Sequence, residues 1–201
     1  ITILQEILPA RGQTYTFYPS IKWKYDRLRL VRQHRPLDLT VTCYINDEET
    51  DIRNLHLDVR SVNECPLSFR YSSKGGGDAA PQTPSGSIVD TRFLFAAYVN
   101  EEHPQIPQIL SDILSQGIVS RFQGYDAADV RRQVLAVWHN TLLRGISYSS
   151  ISCTSNPSPS TNVQHIRFFD EVWNTRQANC IDACVYFASI LRKIGLRPVI
   201  F

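Results

Sequence analysis

The feature that most constrains this chain is a change in apolar period near residue 100. Ahead of that point, Thr14-Tyr15-Thr16-Phe17-Tyr18, Leu37-Asp38-Leu39-Thr40-Val41-Thr42-Cys43-Tyr44, Leu55-His56-Leu57-Asp58-Val59 and Leu67-Ser68-Phe69-Arg70-Tyr71 carry β-branched and aromatic residues at a spacing of two. Polar turns such as Asn46-Asp47-Glu48-Glu49 separate these runs, which predicts a small antiparallel β-sandwich over residues 1–99. The stretch from Ser73 to Ser87, with Gly75-Gly76-Gly77, Pro81 and Pro84, has too little apolar surface to fix one conformation and reads as a long loop. The run Thr91 to Val99 leads out of it and reads as extended chain. Beyond Glu101 the spacing becomes helical. Pro107 to Ser115 stops at Gly117, and Asp126 to Arg144, with Val130, Val134, Val137, Trp138 and Leu142 as its apolar positions, stops at Gly145. Residues 100–201 therefore read as a separate unit, and the predicted fold class is α+β.

Composition narrows the function more than the fold. With 43% hydrophobic and 20% charged residues, 201 residues can bury one sizeable core or two small ones. The 21 basic and 19 acidic residues are interspersed, so neither nucleic acid nor an anionic membrane surface is indicated as a partner. The best exception is Lys22 to Arg32, where basic residues alternate with Trp23, Tyr25, Leu28 and Leu30; this reads as a strand or sheet edge with one solvated face. No apolar run approaches the roughly 20 residues of a membrane-spanning helix. The five cysteines show no C-x-x-C pair and no histidine spacing typical of zinc, so neither a metal site nor a cofactor is expected. An odd cysteine count without a signal peptide leans toward a reducing compartment. A chain that begins at Ile1 is also compatible with processing, which leaves cytoplasm and cell envelope both open.

The chemistry concentrates in one segment. Asn179-Cys180-Ile181-Asp182, the apolar run Ala183 to Leu191 and Arg192-Lys193-Ile194-Gly195 spell a helix with a cysteine in its first turn. Asn179 is the cap, and Asp182 stands where a carboxylate reaches back to it. Ile181, Val185, Ala188 and Leu191 share a face, and Gly195 ends the helix. A thiol at this place faces unpaired backbone N–H groups and the positive end of the helix dipole, which favour a thiolate. Cys180 is accordingly the predicted nucleophile. Cys184, one turn on, reads as core packing, and Asp182 as a cap rather than a catalytic acid. Ahead of this helix, Phe168, Val172 and Trp173 predict another short helix; after it, Leu196 to Phe201 reads as the start of a buried strand.

Gln177-Ala178-Asn179-Cys180-Ile181-Asp182 followed by Phe187 to Leu196 resembles the nucleophile helix of the transglutaminase-like superfamily, whose core is shared with papain-like cysteine proteases. Upstream, Ala97 to Pro104, Phe122-Gln123-Gly124-Tyr125, Gln133 to Trp138, Arg144 to Ser150 and Gln164 to Phe168 are similar to uncharacterised bacterial members of the group. The resemblance spans about residues 97 to 201. It implies a Cys-His-Asp triad in that chain order, with the histidine on the strand after the nucleophile helix and the aspartate on the next, both beyond residue 201. His34, His56, His103, His139 and His165 all precede Cys180, so none is carried over as the base. The oxyanion would be held in part by the Cys180 backbone N–H, with Gln164, Gln177 and Trp173 as candidates for a second donor.

Two functions are consistent with these residues. One is a thiol hydrolase or acyltransferase acting on an amide or peptide bond of a protein or peptide through a thioester on Cys180. The other is an inactive member of the same fold that binds or scaffolds a partner, with the β-rich half providing recognition.

Overall fold

The computed structural model describes residues 12–14, 22–71, 87–150 and 161–200. The expected strand around Tyr15 to Tyr18, nearly all of the loop from Ser73 to Ser87, and Phe201 lie outside them. The architecture is mixed α+β with mainly antiparallel sheets. It separates into two compact units, residues 1–62 and 63–201, so the anticipated division near residue 100 falls inside the second.

In the first unit, β1 (Arg35–Ile45) and β2 (Glu48–Val59) form an antiparallel hairpin. Asn46 and Asp47 both adopt positive φ, 52° and 66°, the backbone of the tight turn whose twist matches that of the flanking strands. Register pairs Leu37 with Leu57 and Leu39 with Leu55 on one face, and Asp38 with His56 and Thr40 with Asn54 on the other. Alternation at period two separates an apolar from a polar side over these four pairs, whereas farther along Arg53 pairs with Val41, Asp51 with Cys43 and Ile52 with Thr42. Lys22 to Arg32 is not a strand: Tyr25–Leu28 forms one helical turn, α1, exposed except for the half-buried Leu28.

The described residues of the second unit form a three-stranded sheet, one 3₁₀ helix, four α-helices and a pair of very short parallel strands. The sheet has the order β4 (Ser87–Asp90), β3 (Glu64–Tyr71), β6 (Thr161–His165), antiparallel throughout. β3 and β4, read from sequence as part of the first half, are therefore paired to a strand from the second. Thr91 to Val99, anticipated as extended, is instead a 3₁₀ helix over Arg92–Tyr98. Its apolar residues run without alternation and include Ala96-Ala97, so periodicity could not choose between strand and helix. Thr91 closes the turn into it, donating its N–H to the Leu67 carbonyl (2.9 Å) and its hydroxyl to that of Pro66 (2.8 Å).

α2 (Ile106–Ser115), α3 (Ala127–Leu143), α4 (Phe169–Thr175) and α5 (Cys180–Lys193) enclose the core. Ile106, Ile109 and Ile113 of α2, Ala136 and Val137 of α3, Val172 of α4 and Ile190 of α5 are all essentially without solvent contact. An aromatic ladder crosses this core. Trp138 stacks on Phe187 (5.6 Å), Phe187 meets Tyr186 edge-on (6.0 Å), Tyr186 stacks on Phe169 (4.7 Å), and Phe169 on His103 (4.4 Å). β5 (Ser147–Tyr148) and β7 (Gln177–Ala178) pair in parallel, which brings the end of α3 beside the entry to α5. Residues 196–200, read as the start of a strand, have no strand partner among the described residues.

Candidate functional site

The site is the start of α5. Asn179 leaves the strand conformation of β7 (φ −83°, ψ −176°), and its side chain accepts the Asp182 N–H at 2.9 Å. The Asp182 carboxylate in turn accepts the Asn179 N–H at 2.9 Å. The reciprocal capping box read from sequence is therefore formed. It uses the N–H groups of Asn179 and Asp182 and leaves that of Cys180 outside the arrangement.

Asp182 does more than cap. Its side chain is completely buried, and it accepts two further hydrogen bonds from Arg167: the backbone N–H at 2.8 Å and the guanidinium Nη1 at 2.7 Å. A carboxylate without water needs this many donors, and here three groups in two segments supply them. The consequence is positional. The linker Ile166–Phe168 is fastened to the first turn of α5, and the first turn cannot rotate without uncovering a buried charge.

The linker is fixed from its other side as well. Asn63 exchanges backbone and side-chain bonds with Ile166: the Ile166 N–H reaches the Asn63 carbonyl at 2.7 Å, and the Asn63 amide reaches the Ile166 carbonyl at 2.9 Å. The same amide donates to Glu171 (2.8 Å), whose carboxylate also accepts the Phe168 N–H (2.8 Å) and so caps α4. Further along α5, the buried Ser189 hydroxyl accepts the Asn100 N–H (3.0 Å) while donating to the Val185 carbonyl (2.8 Å).

On this frame Cys180 is exposed at the first helical position. Cys184 is exposed too, contrary to its reading as core packing. The helix buries Asp182, Val185, Tyr186, Ala188, Ser189 and Ile190 and turns the two cysteines away from them. Partial burial of the Cys184 thiol pushes its pKa up, and a neighbouring Cys180 thiolate pushes in the same direction. Cys65, on β3 and fully buried, is also pushed up by desolvation.

The three candidate second donors occupy different places. Gln177 is exposed on β7, three residues before the cysteine. Gln164 lies on β6 opposite Cys65 and donates its amide to the His165 carbonyl at 3.0 Å. Trp173 lies on α4, half-buried, with the Arg144 guanidinium 3.8 Å from its ring centroid. A polar cleft of about 500 Å³ lies elsewhere, between the turn 117–124 and α3; Arg121, Gln123, Asp129 and Gln133 are among its lining residues, and Cys180 is not.

Arg167 was not singled out from sequence, although it lies inside one of the resembling stretches. A cation fifteen residues from its carboxylate has no local spacing to reveal it. No helix of the described residues is long and apolar enough to cross a membrane, and the described residues hold no cluster of three or more metal-ligating side chains. The chain matches no family model, no curated protein and no solved structure.

Proposed function

We propose that this chain carries the nucleophile of a transglutaminase-like cysteine hydrolase or acyltransferase, with Cys180 forming a thioester on an amide or peptide substrate. The observation that carries the reading is an exposed cysteine at the first position of a helix whose cap, first turn and preceding linker are tied to one buried carboxylate. Such anchoring holds a nucleophile in one place while leaving it open to a substrate carbonyl. The dipole of a 14-residue helix and the first-turn N–H groups outside the capping box are then placed to stabilise negative charge on the carbonyl oxygen during attack.

In this scheme the sulfur attacks the carbonyl carbon and the amine leaves with a proton. Water or a second amine then takes the acyl group from sulfur, so hydrolysis and transamidation share the first half of the reaction. A histidine to take the thiol proton and an Asp or Asn to orient it belong to the scheme, and the resemblance places both after Cys180 in chain order. In this reading the β1–β2 hairpin of the first unit belongs to an accessory β domain. The apolar pairs Leu37–Leu57 and Leu39–Leu55 on one side of the hairpin support that assignment, because such a patch is suited to pack against a second sheet.

The test is alkylation by iodoacetamide near neutral pH with peptide mapping. Cys180 should react several-fold faster than the exposed Cys43, and Cys180→Ala should abolish the fast phase. Equal rates at the two thiols would defeat the proposal.

A further inference from the structure

Cys180 and Cys184 lie four residues apart on α5, both exposed, on the side turned away from Asp182, Val185, Tyr186 and Ser189. Positions i and i+4 of a helix stand one above the other, with Cβ atoms about 5–6 Å apart. The reading of Cys180 as a nucleophile uses the first thiol and leaves the second unexplained. Core packing does not explain it, since Cys184 is exposed. Of the other described thiols, Cys65 is fully buried in β3 and Cys43 stands in the hairpin of the first unit.

We propose that Cys180 and Cys184 form an oxidation-sensitive dithiol in which Cys184 resolves an oxidised Cys180, closing a reversible disulfide that switches the nucleophile off. The proposal rests on the nucleophile reading for its consequence, but not for the pairing itself. With hydrogen peroxide as oxidant, the Cys180 thiolate attacks one peroxide oxygen and the O–O bond breaks. Cys180 becomes a sulfenic acid, and hydroxide leaves. The Cys184 thiolate then attacks that sulfur, the S–S bond forms and the S–O bond breaks, and the second oxygen departs as water once protonated. Two electrons have moved from the two sulfurs to the peroxide. A small-molecule dithiol reverses the change.

Geometry sets the character of this bond. A disulfide needs its Cβ atoms about 3.5–4.5 Å apart, so closure draws the two residues together by roughly 1–2 Å relative to an undistorted helix. The part that must yield is the first turn of α5, where helices leave their N–H groups unpaired. Asn179 and Asp182, fastened by the capping box and by Arg167, oppose that movement. The disulfide is consequently strained and easily reduced, as befits a regulatory rather than a structural bond.

The experiment treats the protein with hydrogen peroxide in the presence and absence of dimedone, which traps sulfenic acids, and maps the peptides; Cys184→Ser and Cys180→Ser are run beside it. Wild type should lose both thiols to a Cys180–Cys184 disulfide that dithiothreitol reopens, whereas Cys184→Ser should carry the dimedone adduct at Cys180. A wild-type protein that carries the adduct at Cys180 with Cys184 still alkylatable overturns the proposal. Phenylarsine oxide bridges two neighbouring thiols without oxidation and provides the second measurement. Uptake of one equivalent by wild type and by neither variant supports the pairing, and equal uptake by Cys184→Ser overturns it. Disulfide closure by diamide without any peroxide-derived adduct in Cys184→Ser keeps the pair and removes the reactive nucleophile, which separates the two readings.

Discussion

Arg167 and Asp182 are joined twice, once through the backbone N–H of Arg167 and once through its guanidinium, at 2.8 and 2.7 Å. The carboxylate is wholly buried and the arginine side chain only 14% exposed, so this is a desolvated pair and not a surface contact. Removing one partner of such a pair leaves a charge without a counterion and costs about 3–5 kcal/mol. Arg167→Ala should therefore lower the urea midpoint strongly. Asp182→Asn, which keeps the shape and part of the hydrogen bonding without the charge, should cost less. In a double-mutant cycle the combined Arg167→Ala/Asp182→Asn protein should be less unstable than the sum of its parts. Strict additivity would show that the two residues do not act together.

The bend ahead of α3 yields a prediction about two glycines. Gly124 has φ +89°, and a Cβ there would stand 2.0 Å from Asp129 Oδ2 and 2.8 Å from Asp129 Cβ. Gly145 has φ +76° but open space around it. Gly145→Ala incurs only the left-handed backbone strain of an L-residue, about 1–2 kcal/mol. Gly124→Ala adds displacement of Asp129, which pairs with Arg132 and whose N–H is bound by the Asp126 cap. Thermal unfolding of the two variants should show the larger loss at Gly124. The reverse order would mean that the chain before α3 adjusts freely.

How far the sequence disclosed this structure depended on whether the deciding interaction was local. α5 was legible from end to end because Asn179, Asp182 and Gly195 are its own punctuation. α3 was legible in its limits and not in its orientation. Its evenly spaced Val134, Trp138 and Leu142 lie outward, while Gln133, Ala136, Asn140 and Thr141 are buried with Val137. The buried polar groups explain this. The Gln133 amide is bound to the carbonyls of Gln123 and Gly124, and the Thr141 hydroxyl to that of Val137, so a polar residue was needed inside. The same distinction governs the site. Cys180 at a helix start could be read from its neighbours, whereas the hold of Arg167 and Asn63 on the preceding linker arises from pairings 15 and 103 residues apart. The pairing of β3 with β6 likewise joins residues nearly 100 positions apart, so no local pattern could place it with the second unit.

His103 gives the fold a pH dependence of definite sign. Its ring stacks on Phe169, and Nδ1 accepts the Gln105 N–H at 3.4 Å, which requires that nitrogen to be unprotonated. Burial lowers its pKa below the ordinary 6.5, and the nearby Asp170 carboxylate offsets only part of that. The unfolded chain therefore takes up this proton first as pH falls. The stability contributed by the neutral ring is complete above the unfolded value and is lost progressively as pH drops through 6.5 toward the lower folded value. Denaturant midpoints at pH 7.5 and 5.5 should differ more for wild type than for His103→Phe, which keeps the stack without the titration. An unchanged pH slope in the variant would assign the effect to other groups.

The Tyr186 hydroxyl makes the opposite kind of prediction, one in which removing a polar atom does no harm. The residue is 1% exposed, its ring lies between Phe169 and Phe187, and its oxygen is buried beside Thr141 without a hydrogen bond of good geometry. The Thr141 hydroxyl spends its one hydrogen on the Val137 carbonyl and has none to offer the phenol oxygen. Desolvation accordingly pushes the phenol far up, and it remains neutral at every ordinary pH. A buried hydroxyl without a partner gives up its hydration for nothing, at a cost of about 1–3 kcal/mol. Tyr186→Phe should therefore leave stability unchanged or raise it, while Tyr186→Ala, which removes the ring that bridges α4 and α5, should cost about 3–5 kcal/mol in the manner of large-to-small core substitutions. Equilibrium unfolding of the two variants decides the matter. A Tyr186→Phe protein destabilised by more than about 1 kcal/mol, the net worth of an ordinary intramolecular hydrogen bond, would reveal that the oxygen is bonded after all.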